Sequence, residues 1–484
     1  MRKNAISIKN YSFRYPNTET WVLDNLNFTL DYGEFILLSG FSGEGKSTLL
    51  NSINGIIPNI VPGEQKGEIL VNGENIVGKK ASDISVNIGS VLQNPDSQII
   101  NSKVEDEIAF GCENLNMEVE EIAKAIELSC RYMNLDKNWY TRNLSGGQKQ
   151  RLMTAAILAM QQKILIFDEP LANLDLEGAH IFLRILKDFK EQGYGIVIIE
   201  HRLDIVIPYV DKVAWMNDGK VLFYKDKSEA LEKARKEIVF NIPKKFEYTE
   251  PCFDAKQLNY HIAGRHILKN MNFTIQKGER IVIVGENGCG KTTLLRLLSK
   301  IIQPTSGELN QYIEKELKKW KKISNTWFKK LGYVYQNPSY QLFMPSVIDE
   351  INLCSKSERI SLELLEQFRL ANLKDRHPQS LSEGQKRRLT VACILAMEPE
   401  VILLDEPTVG QDYEGLKNMI EILNTHHEKN KNTMITITHD FRCAKALADR
   451  IMWMKHGELV KMGGPELVQE YFQANLEQEL IGVI

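Results

Sequence analysis

Hydrophobic positions along this chain gather into short unbroken runs, and the runs come in two matching sets. Phe35-Ile36-Leu37-Leu38, Ile164-Leu165-Ile166-Phe167 and Gly195-Ile196-Val197-Ile198-Ile199 in the first half answer to Ile281-Val282-Ile283-Val284, Val401-Ile402-Leu403-Leu404 and Met434-Ile435-Thr436-Ile437-Thr438 in the second. Runs of this length without polar interruption predict strands buried on both faces, as in a parallel sheet covered by helices. Residues 6–30 instead alternate apolar and polar, with turn residues at Pro16-Asn17, which predicts a small antiparallel sheet. Gly67-Glu68-Ile69-Leu70-Val71-Asn72-Gly73 reads as a further strand running into a turn. Between residues 93 and 145 the pattern turns helical, most clearly over the charged amphipathic stretch 119–135. The chain therefore divides into a first domain over 1–227 and a second over 252–484. Residues 228–251 are charged, without a sustained apolar face, and read as a linker. Residues 465–472 suit a short amphipathic helix packing on the second half.

Each set opens with a glycine-rich stretch between a buried strand and a Leu-rich helical pattern. The first is Gly40-Phe41-Ser42-Gly43-Glu44-Gly45-Lys46-Ser47 and the second Gly285-Glu286-Asn287-Gly288-Cys289-Gly290-Lys291-Thr292, followed by Thr48 and Thr293. Both satisfy the P-loop pattern in the context that makes it credible. Glycines let the backbone wrap a polyphosphate with its N–H groups and a helix N-terminus facing the charge; Lys46 and Lys291 would reach the terminal phosphates, and Ser47 and Thr292 would ligate Mg²⁺. Two such stretches make coincidence negligible.

Further positions recur at matching distances. Tyr15 and Tyr260 each lie about 25 residues before a P-loop, where a flat ring could stack on a purine or serve as an ordinary strand tyrosine. Gln93 and Gln336 each end a β-like run just before Asn-Pro, within reach of a metal or water. Ser145-Gly146-Gly147-Gln148 and Ser382-Glu383-Gly384-Gln385 each suit a capped helix start, the first opening a helix over 149–160; such a start is a second anion site or simply a good cap. The buried runs end in Asp168-Glu169-Pro170 and Asp405-Glu406-Pro407, an expensive placement unless a cation or catalysis uses the charge. The first carboxylate of each pair suits Mg²⁺ and the second the polarisation of an attacking water, as phosphoryl transfer requires. His201 and His439 follow the next strand and suit sensors of a terminal phosphate.

Bulk properties narrow the setting. Sixty Lys and Arg against 63 Asp and Glu give a net charge of −3, so no basic field points to nucleic acid, and no nucleic-acid partner is expected. The seven scattered cysteines lack C-x-x-C spacing, which argues against a zinc site and for a reducing compartment. The N-terminal residues lack the apolar core of a signal peptide, and no window approaches the ~18 to 20 apolar residues of a membrane span, so a membrane role would be peripheral, at the cytoplasmic face.

The ordered set of aromatic, P-loop, Gln, Leu-Ser-Gly-Gly-Gln, Asp-Glu and His, found twice, resembles the nucleotide-binding domains of ABC ATPases. The resemblance implies an α/β fold of two tandem P-loop NTPase domains, each with a RecA-like core, an antiparallel β subdomain and a helical subdomain. It implies ATP and Mg²⁺ as cofactors, Glu169 and Glu406 as general bases, and Asp168, Asp405, Gln93 and Gln336 around the metal. It also implies that the two halves pair head to tail within the chain, so that Lys46 shares a nucleotide with Ser382 and Lys291 with Ser145. Gln93-Asn94-Pro95-Asp96-Ser97-Gln98 and Gln336-Asn337-Pro338-Ser339-Tyr340-Gln341 further resemble the ATPase component of energy-coupling factor (ECF) importers. Those importers join the ATPases to a membrane coupling subunit and a substrate-capture membrane subunit, and take up vitamins, vitamin precursors or transition metals. A soluble tandem ABC protein remodelling ribosomes or nucleic acid is the alternative; a fused sugar-importer ATPase is disfavoured because both P-loops are intact.

Three positions carry expectations of their own. Glu383 stands in place of a signature glycine and would bring a carboxylate toward a terminal phosphate, weakening ATP binding several-fold. Gln411 stands where Leu174 stands in Ala172-Asn173-Leu174-Asp175, which would make communication between the two sites asymmetric. Cys289, at a helix N-terminus beside Lys291, should have a lowered pKa and react readily.

Overall fold

In a computed structural model, described over residues 4–16, 18–40, 43–172, 174–224, 226–230, 248–312 and 329–472, the buried runs form the predicted strands. The chain divides into two units, Met1–Ile238 and Val239–Ile484. Most of the predicted linker, 231–247, lies outside the described residues, as do Asn17 of the predicted turn, Phe41, Ser42 and Asn173.

The first unit begins with β1 (Asn4–Arg14), β2 (Leu23–Asp31) and β3 (Phe35–Gly40), followed by α1 (Lys46–Ile53). Next come β4 (Glu64–Val71), β5 (Glu74–Asn75) and β6 (Ile88–Val91). The helical stretch holds α2 (Val104–Asn114), α3 (Val119–Tyr132) and α4 (Gly146–Ala159). The unit closes with β7 (Ile164–Asp168), α5 (Leu176–Glu191), β8 (Gly195–Ile199), β9 (Lys212–Asn217) and β10 (Lys220–Tyr224).

β6, β7, β8, β3 and β9 pair in parallel in that order, with β10 antiparallel at the edge. Alternate residues of the runs serve opposite faces. Phe35, Leu37, Leu165, Phe167, Ile196 and Ile198 pack into the core that includes residues of α2, α4 and α5. Ile36, Leu38, Ile164, Ile166, Val197 and Ile199 pack into the core shared with α1 and the antiparallel sheet β2-β1-β4-β5. This two-faced burial explains why the runs are continuously apolar whereas β1 and β2 alternate.

The second unit repeats the plan. It comprises β11 (Pro251–Ile262), β12 (Arg265–Gln276), β13 (Arg280–Gly285), α6 (Lys291–Leu298), β14 (Ser306–Gln311) and β15 (Leu331–Val334). After these come α7 (Val347–Cys354), α8 (Glu358–Gln367), α9 (Glu383–Ala396), β16 (Val401–Asp405) and α10 (Tyr413–Asn430). β17 (Thr433–Ile437), β18 (Arg450–Lys455) and β19 (Glu458–Gly463) complete it. The sheet order β15-β16-β17-β13-β18-β19 matches that of the first unit strand for strand. Residues 466–472 are helical, and Tyr471 meets Trp453 edge-on at 5.3 Å.

The repeats differ at the root of the central strand. In the first unit Asp211 accepts from the Phe35 N–H (2.9 Å) and pairs with Lys190 near the surface (2.9 Å). In the second, Phe35 is replaced by Arg280, which is fully buried and donates to both oxygens of Asp449 (Nε 3.0 Å, Nη2 2.5 Å) and to Asn424 (2.9 Å), while the Tyr248 hydroxyl adds a bond to Asp449 (2.6 Å). Burial pushes the Asp449 carboxyl up, but Arg280 and Tyr248 more than offset this and hold it below its ordinary value. The resulting stability is present above the carboxyl's unfolded pKa and is lost as pH falls through the lowered one. Removing one partner of a buried pair strands the other charge. Asp449→Asn should therefore cost the second unit about 3–5 kcal/mol, and Asp211→Asn about 1 kcal/mol in the first. Hydrogen exchange in graded urea measures the two units separately, and equal losses would contradict this account.

Candidate nucleotide-binding and hydrolysis sites

Parallel pairing brings the carboxyl ends of the strands to one edge of each sheet. Gly40 lies opposite Met216 and Asp168 opposite Ile199; in the second unit Gly285 lies opposite Met454 and Asp405 opposite Ile437. The P-loop, the acidic pair, the glutamine and the histidine of each half thus emerge side by side, where open α/β sheets place their ligands.

Glycine is required at the base of each P-loop. A Cβ on Gly40 would lie 2.4 Å from the Met216 carbonyl oxygen, and one on Gly285 2.2 Å from that of Met454. Gly45 and Gly290 precede α1 and α6 with φ of 102° and 103°, a conformation open to glycine and costly for other residues. Gly43 and Gly288, also at positive φ, face open space, the side from which a phosphate chain can approach the backbone. Lys46 donates to the Gly40 carbonyl (2.8 Å); Lys291 donates to those of Gly285 (2.7 Å) and Glu286 (2.9 Å). Both ammonium groups therefore lie over their loops. Ser47 and Thr293 stand in the first turns of α1 and α6, and Thr48 shares a hydrogen bond with the Tyr15 hydroxyl (3.0 Å), so the predicted aromatic sits beside the P-loop helix. Tyr260 packs half-buried on the corresponding core. Glu44 accepts from the Asp218 N–H, Glu286 pairs with Lys455 (3.3 Å) and Asn287 bonds to His439 (3.2 Å).

Cys289 departs from expectation. Its side chain is buried, and its sulfur lies so close to Gly285 that a Cβ there would come within 2.8 Å of it. Burial pushes the thiol up, and Lys291 only partly opposes this. The sulfur belongs to the packing beneath the loop, where no solvent stabilises a thiolate.

The acidic pairs are the most constrained part of each site. Glu169 and Glu406 both adopt left-handed backbone (φ 49° and 55°), held by N–H bonds to Ile199 (2.9 Å) and Ile437 (3.0 Å) of the adjacent strand. This region costs a non-glycine residue on the order of 1–3 kcal/mol, so the surrounding strands hold both glutamates there against a conformational cost. His201 Nε2 stands 3.3 Å from Glu169, and His439 Nε2 3.5 Å from Glu406. Gln93 donates to Glu169 (2.8 Å), so its amide orients the second acid of the pair. Burial pushes Asp168 up to about 7, aided by the Glu169 charge, and pushes Glu406 up to about 8 against Lys291. Burial also raises Asp405. At Glu169 burial is outweighed by His201, Gln93 and Lys46, which hold it below its ordinary value. Asp405 Oδ2 is buried with no hydrogen-bond partner among the described residues, and its carboxylate is bonded to Thr292. A spare buried oxygen beside a hydroxyl is what a divalent cation would satisfy, so the residues fit Mg²⁺.

The second predicted element begins three residues earlier than expected. Ser145 caps α4 at Gly146: Ser145 Oγ accepts from Gln148 N (3.3 Å) and Gln148 Oε1 from Ser145 N (2.8 Å), with Gly147 between them. Ser382 and Gln385 repeat this box on α9 (3.3 and 3.0 Å). Such a box satisfies two N–H groups and fixes the start of the helix. Glu383 does not project a free charge, because it pairs with Lys386 at 3.0 Å. In the first half the equivalent Lys149 pairs with Asp96, where the second half has Ser339. The acid stands on the loop after Gln93 in the first half and at the start of α9 in the second, and the lysine keeps a partner in both.

Further residues enter the sites beyond those given a role from the sequence. Arg387, fully enclosed, donates to the carbonyls of Glu406 (2.7 Å) and Gln336 (2.7 Å) and so ties α9 to the acidic strand end. The side-chain amide of its counterpart Gln150 is equally buried and has no hydrogen-bond partner among the described residues. Glu200 accepts from the Leu171 N–H (2.8 Å), and Arg202 donates to the Leu171 and Leu174 carbonyls (3.2 Å each). A charged residue within or beside an otherwise apolar run was the available signal.

The buried position of Cys289 sets a test. Cys354 is the part-exposed cysteine, and its thiol is lowered by a hydrogen bond with Cys393. Under native conditions maleimide should label Cys354 first, while Cys289 should react only on unfolding; mass spectrometry of tryptic peptides reads the order, and rapid Cys289 labelling would refute it.

Comparison with known proteins agrees with this geometry. Residues 23–172 and 268–409 match the ABC transporter family model. An ABC transporter ATP-binding protein of Methanosarcina mazei is 31% identical over 99% of this chain and 92% of its own. A Bacillus subtilis (strain 168) protein provisionally named HMP/thiamine import ATP-binding protein YkoD is 33% identical over 95% of this chain and 91% of its own. A solved assembly described as ribosome-bound archaeal Pelota and ABCE1 aligns with a TM-score of 0.73 at 20% identity, over 96% of this chain and 80% of the other, which shows the fold alone. The chain belongs to the ABC transporter family and is an ATPase that carries the ATP-binding domain twice.

Proposed function

We propose that this ATPase energises an ECF-type importer of a vitamin, vitamin precursor or transition metal from the cytoplasmic face of the membrane. Among the described residues no helix is long and apolar enough to cross a bilayer, so the pathway for substrate would belong to separate membrane subunits. One observation carries the reading. Just beyond the Gln-Asn-Pro turns, large apolar side chains stand in solvent: Ile100 in the first half, and Tyr340, Phe343 (73% exposed) and Leu353 in the second. Exposed apolar side chains rimmed by polar residues suit a partner helix laid into a groove, and here they follow the glutamine that contacts the second acid in the first half. The likeness to YkoD, provisionally named for HMP/thiamine import, supports a cargo of the vitamin class. The likeness to the ribosome-bound protein, resting on fold alone, adds no partner.

In the proposed cycle each nucleotide lies on one P-loop and against the other half's signature serine, Ser382 for Lys46 and Ser145 for Lys291. Mg²⁺ would be held by Ser47 and Asp168, or Thr292 and Asp405, with Gln93 or Gln336, and would supply charge neutralisation at the phosphates. Glu169 and Glu406 take the proton of the attacking water; His201 and His439 stand beside them to orient the terminal phosphate.

Two outcomes follow. The double change Glu169→Gln, Glu406→Gln should keep ATP binding while steady-state turnover falls below a few per cent of the parent, measured by phosphate release; turnover above that removes both residues from the role of base. Tyr340→Asp with Phe343→Asp should leave ATPase activity of the isolated chain unchanged but abolish co-purification with the membrane subunits of such an importer and ATP-driven uptake in vesicles. Retained co-purification would remove the exposed patch from the interface.

A further inference from the structure

The segment that leaves each acidic strand end is fastened differently in the two halves. In the second half this segment, residues 408–412, runs past the first turn of α9. Gln411 is buried, and its amide makes two bonds: Nε2 donates to the Gly384 carbonyl (2.7 Å) and Oε1 accepts from Arg388 (3.0 Å). Gly384 itself packs so tightly on the segment that a Cβ would come within 2.5 Å of the Gly410 carbonyl oxygen. Asp412 then caps α10 by accepting from Gly415 N (2.7 Å). Glu406, the candidate base, is thus joined through five residues of chain to the helix start that carries Ser382.

In the first half Leu174 occupies the equivalent position and offers no such bonds. There the segment is tied instead to the end of β8, by Glu200 at the Leu171 N–H and Arg202 at the Leu171 and Leu174 carbonyls. Thr438 and Asp440, the second-half counterparts of Glu200 and Arg202, face other work: Asp440 caps the following helix and pairs with Arg442 (2.6 Å).

We infer that Gln411 is a positioning residue for ATP hydrolysis, which fixes the Ser382 end of α9 to the acidic strand end of its own half through the Gly384 carbonyl. The inference rests on the reading of Ser382 as a phosphate-facing residue. A carbonyl in the first turn of a helix normally bonds along the helix; a side-chain amide on the same oxygen sets the height and tilt of that turn against the neighbouring loop. Contacts that the signature makes only when the site is assembled act on turnover rather than on the initial capture of ATP by the P-loop.

The test uses the full chain with Gln411→Leu, the residue of the first half, and Gln411→Glu, which keeps an acceptor for Arg388 but cannot donate to Gly384. Both should lower kcat about five- to tenfold, with the Kd for ATP changed less than about twofold and the melting temperature of Gln411→Glu close to the parent. Parent-like kcat in either variant overturns the inference, as does a loss of kcat that tracks Kd and melting temperature together. Full activity in Gln411→Glu with loss in Gln411→Leu would assign the effect to Arg388 and overturn it as well. Ser382→Arg serves as the separate control: it should abolish turnover. If it does not, the phosphate-facing reading of Ser382 fails; if it does while the Gln411 variants remain active, only the positioning role fails.

Discussion

A carboxylate pair at the end of a buried strand is the constraint on which each half depends. Four apolar residues carry Asp168-Glu169 and Asp405-Glu406 to the edge of the sheet, where desolvation disfavours charge and the surroundings must answer it. The first half answers with His201 and Gln93 directly on Glu169, which hold that acid below its ordinary value against the effect of burial. The second half answers Glu406 with its His439 at slightly longer range and with Arg387 on the backbone carbonyl, leaving the acid with a raised pKa. The left-handed backbone at both glutamates shows that the surrounding strands hold these acids in place against a conformational cost.

The two halves share a backbone plan and differ in how its joints are fastened. A surface ion pair at Asp211 corresponds to a buried network at Asp449; an acid at Asp96 corresponds to one at Glu383; a clamp from Arg202 corresponds to one from Gln411. Each exchange preserves a local requirement, the anchoring of the central strand, a partner for the lysine after the signature glutamine, and a restraint on the segment after the acidic pair. The candidate site residues are duplicated while the restraints are redistributed, so matching side chains sit in unequal mechanical settings.

Much of the fold could be read directly from the chain. Short continuous apolar runs bounded by glycine and proline indicated strands covered on both faces, and their recurrence with glycine-rich stretches at equal spacing indicated two similar sheets, because periodicity and glycine requirements are local properties of the backbone. Which strand neighbours which, and therefore that Gln93 meets Glu169, was decided by the crossing order β6-β7-β8-β3-β9, a non-local matter. Cys289 shows the same limit: its neighbours in sequence predicted an activated thiol, whereas packing beneath Gly285 buried it, and burial outweighed the adjacent lysine. Glu383 looked like an unpaired charge until α9 placed Lys386 one turn away and β15's loop offered only Ser339. The sequence by itself determined the residue types, their spacing and the strands that carry them. Tertiary structure decided which carboxylates are desolvated and which distant groups answer them, because burial and contacts such as Gln93 with Glu169 depend on groups brought together from distant parts of the chain.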